Sequence, residues 1–111
     1  MLKTLLLAVC LGFVASTSAS AQQDGDVGRG KAYAQETCAS CHGVLSTDLS
    51  SPRPNTITFK AVANAPGMTG TAINVFLLTP HRSMPNLIIE PRDRTDVIAY
   101  IVSLQDAPKA K

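Results

Sequence analysis

The alternation of apolar and polar residues is clearest in the last third of the chain. Four apolar residues there occupy positions i, i+3, i+4 and i+7, which form one buried face on a helix: Val97, Tyr100, Ile101 and Leu104. Pro91 suits the first helical position, and Asp93 puts a negative charge in the first turn, where the helix dipole favours it. The pattern predicts a helix that begins near Pro91 and a tail that begins at Asp106.

A second long helix is predicted nearer the N-terminus, from about Val27 to Cys41. Its small and apolar residues recur at helical spacing: Val27, Gly30, Tyr33 or Ala34, and Thr37. Asp24 or Asp26 can cap its start, because an aspartate side chain accepts a hydrogen bond from a free backbone N–H of the first turn.

Two shorter helices are predicted between the long ones. The first covers residues 59–63. The second covers about 70–78, with Thr69 or Thr71 as its N-cap and Pro80 as its stop. The chain has no convincing pair of strands and no internal repeat, so the predicted fold class is all-α.

The N-terminal segment is predicted to be a leader rather than part of the fold. Lys3 precedes an apolar run over residues 5–14, and an Ala-Ser-Ala triplet ends at Ala21. This is the layout of a secretory signal peptide that is removed by cleavage. The expected organisation is a signal peptide at 1–21 and one domain at 22–111.

The same segment bears on localisation. Its apolar run is shorter than the roughly 20 residues that a membrane-spanning helix needs. We therefore expect export to the periplasm with no stable membrane insertion after cleavage. An uncleaved membrane anchor is the alternative.

Charge argues against nucleic acid as a partner. The formal net charge is +2 for the whole chain, and it falls to +1 when Lys3 leaves with the leader. Neither a basic run nor a basic stripe is present, so the sequence lacks the electrostatic footprint of a nucleic-acid-binding domain.

The predicted domain has few large side chains with which to build a core. The chain contains no tryptophan and three phenylalanines, and domains of this size often need a covalent or metal staple. Outside the leader its cysteines are Cys38 and Cys41. A disulfide between them would close a very small loop and constrain the unfolded chain little. The two thiols are more plausibly a shared attachment point for another group.

Residues 38–42 read Cys-Ala-Ser-Cys-His, the attachment signature of c-type haem. Two thiols on one turn can each add to a vinyl group of the porphyrin and form a thioether. The adjacent His42 then supplies the proximal nitrogen ligand of the iron. The motif predicts one covalently bound haem c, held by Cys38, Cys41 and His42.

Two other kinds of site use similar residues. A thioredoxin-like redox pair also has Cys-x-x-Cys, but it expects a preceding strand, whereas the segment before Cys38 has a helical pattern. A zinc site could combine Cys38, Cys41, His42 and His81. Consecutive residues would then bind one small ion, which departs from the usual spacing of zinc ligands.

The second axial ligand determines whether haem iron carries electrons or binds small molecules. Met84, Met68 and His81 are the candidates. Met84 is preferred because it lies in a loop between two helices and is followed by the rigid Pro85. Met68 is expected to pack against the haem face, and His81 to be a loop histidine. Ligation by His81 would give a bis-histidine site of lower potential.

Four features together resemble the small monohaem class I cytochromes c over nearly the whole predicted domain: Gly30 eight residues before the first motif cysteine, the motif at 38–42, the Ser-Met-Pro loop at 83–85, and the terminal helix containing 96–101. The resemblance implies three to five helices wrapped round the haem. It also implies that Gly30 meets Tyr100 where the terminal helices cross, and that Pro52 or Pro54 supports His42.

The function implied by the resemblance is electron transfer. We expect a soluble monomer that is an electron carrier rather than an enzyme, uses His42 and Met84 as axial ligands, and exchanges electrons with donor and acceptor proteins. Arg53 or Arg82 could pair with a haem propionate, although a solvated surface arginine is the commoner role. Two alternatives remain open: a cytochrome subunit of a dehydrogenase or oxidase complex, and a haem-based gas-binding or sensor protein.

Overall fold

Four helices form the regular secondary structure of the described chain. They are α1 (Val27–Thr37), α2 (Phe59–Ala63), α3 (Gly70–Leu78) and α4 (Pro91–Ser103). These bounds come from a computed structural model, which describes residues 25–81 and 83–108. Neither range contains a strand, so the all-α prediction is confirmed. The predicted signal peptide lies outside the described residues.

The capping residues and prolines in the sequence predicted most of the helix boundaries correctly. The side chain of Asp26 caps α1 by accepting a 2.7 Å hydrogen bond from Arg29 N, and Thr69 caps α3 through Ala72 N at 3.1 Å. The bounds of α2 and α3 agree with the prediction, and α4 begins at Pro91 as predicted. Asp24, the other candidate cap of α1, lies outside the described residues.

The predicted end of α1 at Cys41 is wrong, since the helix ends at Thr37. The carbonyl of Cys38 accepts hydrogen bonds from both Cys41 N (3.1 Å) and His42 N (2.9 Å). These bonds close a tight turn after the helix instead of extending it. The motif therefore lies on a turn that follows directly from α1.

The core lies where α2 and α3 pack on α4 and α4 packs on α1. Its central cluster comes from all four helices and one loop, and consists of Ala34, Val44, Phe59, Ala63, Ile73, Val97, Ile98, Tyr100 and Ile101. The predicted face of α4 is confirmed, since three of its four residues are buried and Leu104 is half-buried. Ile98 adds a buried residue that the spacing did not indicate.

Helix α1 crosses α4 at Gly30 with backbone against backbone. A Cβ atom at Gly30 would lie 2.9 Å from the Cβ of Tyr100 and closer still to the carbonyl group of Asp96. The expected contact between Gly30 and Tyr100 is confirmed. The stronger constraint, however, is the backbone of Asp96, which cannot move aside as a side chain could.

A buried carboxylate reinforces the same crossing. Asp96 is 2% exposed, and its carboxylate accepts hydrogen bonds from Asp26 N (2.7 Å), Arg29 Nε (2.7 Å) and Arg29 Nη2 (3.1 Å). The Arg29 guanidinium, together with the backbone N–H of Asp26, holds the pKa of Asp96 below its usual value, while burial acts in the opposite direction. Asp96 is therefore ionised and paired at neutral pH.

Replacing Gly30 with alanine should destabilise the fold, because the new methyl group overlaps the α4 backbone. We expect a loss of about 2 kcal/mol in the free energy of unfolding, typical of an overpacked site. Denaturant unfolding of the purified protein measures it. Gly28→Ala is the matched control, because its Cβ would meet only the Asp26 side chain, at 3.3 Å. Equal effects of the two substitutions would contradict the close crossing.

The pairing of Asp96 should make stability depend on pH in the acid range. Its folded-state pKa is lowered, so its contribution is present above the unfolded value of about 3.9 and is lost as pH falls through the folded value. Asp96→Asn should therefore be less stable than the wild type at neutral pH, and the gap should narrow in acid. Denaturation midpoints of both proteins from about pH 7 to pH 3 test this. A gap that stays constant with pH would show that the ionisation of Asp96 contributes nothing to stability.

Candidate functional site

The two thiols lie side by side on the turn that α1 leads into. Cys38 and Cys41 are unbridged and half-buried. Burial, with a smaller contribution from Cys41, raises the pKa of the Cys38 thiol to about 11. Cys38 is therefore a neutral thiol at ordinary pH, which suits a position against an apolar group.

The ring of His42 is oriented by a backbone carbonyl. Its Nδ1 lies 2.7 Å from the carbonyl oxygen of Ile57, and the ring of Phe59 is 5.4 Å away, centroid to centroid. With Nδ1 protonated and donating to this oxygen, Nε2 keeps its lone pair for a metal ion. His42 and the carbonyl of Ile57 therefore have the arrangement expected of a haem-ligating histidine.

The carbonyl that supports the His42 ring belongs to Ile57. The expectation that Pro52 or Pro54 supports His42 is therefore wrong. Phe59 N donates a 2.8 Å hydrogen bond to the carbonyl of Gly43, and this bond brings the chain before α2 alongside the residue that follows His42. Both prolines lie in the exposed part of the loop.

Helix α4 holds the chain immediately after His42. The hydroxyl of Tyr100 donates a buried 2.6 Å hydrogen bond to the carbonyl of Val44. Burial, with a smaller contribution from Asp48, raises the pKa of Tyr100, so the hydroxyl stays protonated and can donate. The same helix that crosses α1 thus also fixes the position of the His42 segment.

The loop that carries Met84 is also tied to α4. Arg94 donates a 3.1 Å hydrogen bond to the carbonyl of the buried Ile89 and a 3.0 Å hydrogen bond to Asn74 Oδ1 of α3. Within the loop, Leu87 N donates to the carbonyl of Pro85 at 2.8 Å. The segment after Met84 is therefore folded back and anchored at its far end.

A cavity of about 260 Å³ lies between these two segments, with mainly apolar walls. Its lining includes Cys38, His42, Phe59, Met68, Met84 and Ile101. A neighbouring cleft of about 630 Å³ shares Cys38, His42 and Met84 and adds Cys41. The structure therefore brings all four of the preferred site residues to two adjoining spaces that share Cys38, His42 and Met84.

Met68 and His81, the other two candidate ligands, also line the cavity. Met68 is half-buried against the core, and its carbonyl accepts a 3.1 Å hydrogen bond from Gln105 Nε2. His81 is exposed, with Nδ1 3.1 Å from the carbonyl of Thr79 and its ring edge-on to Phe76. Sequence reasoning named both, and the structure places both within the same site.

The zinc alternative gains no support from the described ranges. No group of three or more His, Cys, Asp or Glu side chains there is arranged to hold a metal ion by itself. The candidate zinc ligands Cys38, Cys41, His42 and His81 therefore do not form a closed site of their own.

The residues that are present fit a covalently held haem. Two thiols on one turn match the two vinyl groups, His42 offers a free ring nitrogen, and a methionine sulfur lines the same apolar cavity. The mainly apolar walls suit the porphyrin face better than they suit a hydrated ion.

Comparison with known proteins agrees with this fit. The family model for cytochrome c matches residues 27–105, a stretch that runs from the start of α1 past the end of α4. No curated protein and no solved structure matches the chain. The matched region includes the motif turn, the cavity and the Met84 loop, so the chain belongs to the cytochrome c family and its cofactor is covalently bound haem c.

Proposed function

We propose that this cytochrome c is an exported electron carrier in which Cys38 and Cys41 attach one haem and His42 and Met84 are the axial ligands. Haem-based electron transfer is the function that its family supports. One observation carries the finer proposal: the loops of His42 and Met84, separately anchored to α4, contribute to one apolar cavity.

Bound haem supplies an iron that alternates between Fe(II) and Fe(III), and the protein tunes it through ligands, hydrogen bonds and burial. His42 would hold the iron through Nε2, because its Nδ1 is engaged by the carbonyl of Ile57, which fixes the orientation of the ring. Phe59 and the other apolar wall residues exclude water. Met84 offers a neutral, soft sulfur, which favours the reduced state and raises the potential.

Met84 is preferred over Met68 and His81 because of what each residue already contacts. Met68 packs against the core cluster, and Gln105 holds its backbone carbonyl. His81 lies exposed against Phe76. Met84 lies outside the helices, in a loop that Arg94 anchors further along, at Ile89. Its sulfur can therefore be directed into the cavity without displacing a core contact.

Export to the periplasm is part of the proposal and rests on the leader pattern of residues 1–21. None of the helices in the described part of the chain is long and apolar enough to cross a membrane. We propose a monomer that exchanges electrons with donor and acceptor proteins through the haem edge. The near-neutral charge suggests only modest electrostatic steering toward those partners.

Substituting Met84 with alanine tests the ligand assignment. The ferric wild type should show the methionine–iron(III) charge-transfer band at the red end of the visible spectrum. Met84→Ala should abolish the band, lower the reduction potential and let the ferrous protein bind carbon monoxide, because the sixth position then opens. Absorption spectroscopy and redox titration measure all three effects.

Met68→Ala is the matched control, since it removes a methionine from the same cavity and should keep the band. If the band is lost in Met68→Ala and kept in Met84→Ala, Met68 is the ligand. A wild-type protein that lacks the band and readily binds carbon monoxide would instead favour the gas-binding or sensor alternative. Isolation from its source only as part of a larger complex would favour the enzyme-subunit alternative.

A further inference from the structure

The side chain of Arg53 joins the two loops that contribute the axial residues. Its Nη1 donates a 3.0 Å hydrogen bond to the carbonyl of Ser83, thirty residues further along the chain. Its backbone N–H donates a 3.3 Å hydrogen bond to the carbonyl of Cys41. Arg53 is thus bonded both to the residue before His42 and to the residue before Met84.

Ser83 is a position that needs outside support. Its φ angle is +69°, in the left-handed region that favours glycine, and serine pays a steric cost there. The carbonyl of Ser83 is the atom that Arg53 holds. Release of this hydrogen bond would leave the backbone free to relax, and Met84 is the next residue along the chain.

Arg53 is itself held in place by its neighbours. It lies between Pro52 and Pro54; the first has a fixed φ, and the second restricts the backbone of the residue before it. Arg53, Ser83 and Met84 all line the cleft that adjoins the cavity. The guanidinium therefore starts from a restrained backbone and reaches the Met84 loop at the wall of the cleft.

We propose that Arg53 is a positioning residue for Met84, acting through the carbonyl of Ser83. Arg94 anchors the far end of the loop at the buried Ile89, whereas Arg53 holds the near end at the surface. The exposed bond is the one that opens more readily. Breaking it lets Met84 leave the iron more often, so small ligands gain access to the sixth position. This inference rests on Met84 being the axial ligand.

Imidazole binding to the ferric, haem-loaded protein tests the inference, because imidazole must displace the sixth ligand. Arg53→Ala should bind imidazole about tenfold more tightly than the wild type, equivalent to about 1.4 kcal/mol and similar in size to one hydrogen bond. Arg53→Lys keeps a cation and one possible donor to Ser83, so its affinity should fall between the two. In the absence of imidazole, all these proteins should keep the methionine charge-transfer band.

Arg92→Ala is the matched control. Arg92 is an exposed arginine on α4 that lines neither the cavity nor the cleft, so its loss removes the same charge and should leave imidazole affinity unchanged. An equal increase in imidazole affinity in Arg53→Ala and Arg92→Ala would show that the effect comes from the loss of a positive charge alone, and would overturn the proposal.

Two other results separate the possible failures. If the wild type shows the band but Arg53→Ala binds imidazole as the wild type does, the positioning role is wrong while Met84 ligation stands. A shifted reduction potential with unchanged imidazole affinity would likewise overturn the role and indicate that Arg53 pairs with a haem propionate. If the wild type lacks the band, it is the ligand assignment itself that fails.

Discussion

The backbone contact between Gly30 of α1 and Asp96 of α4 is the constraint on which the rest of the structure depends. It sets how closely the two helices approach and therefore where the motif turn emerges from α1. Helix α4 then positions both sides of the cavity, because Tyr100 holds the chain after His42 and Arg94 holds the chain after Met84. One helix pair thus determines the relative placement of two residues that lie far apart in sequence.

The same crossing combines a steric and an electrostatic condition within one residue. The carbonyl group of Asp96 lies against Gly30, while its carboxylate is satisfied by Asp26 N and by Arg29. A buried carboxylate is tolerated only when it is paired and hydrogen-bonded, so Arg29 and Asp96 favour this packing of the helices over others. The steric contact and the ion pair therefore favour the same crossing geometry of α1 and α4.

Sequence reasoning succeeded where the signal is local. The caps at Asp26 and Thr69 and the helical periodicity of α4 determine boundaries within a few residues, and the motif is contiguous because two thioethers and one ligand must come from one turn. It failed where bonds join distant segments. The Ile57 partner of His42 depends on how the loop returns, and the long-range bonds made by Arg29 and Arg53 come from residues that look like ordinary surface arginines.

The turn that α1 leads into functions as a haem attachment site only if its two thiols are joined to the porphyrin. Denaturing mass spectrometry of the purified protein, followed by peptide mapping, tests this directly. We expect the mass of one haem to stay with the chain after unfolding and to map to the peptide that contains Cys38 and Cys41. A haem-free peptide with these two cysteines reduced or joined as a disulfide would contradict the assignment.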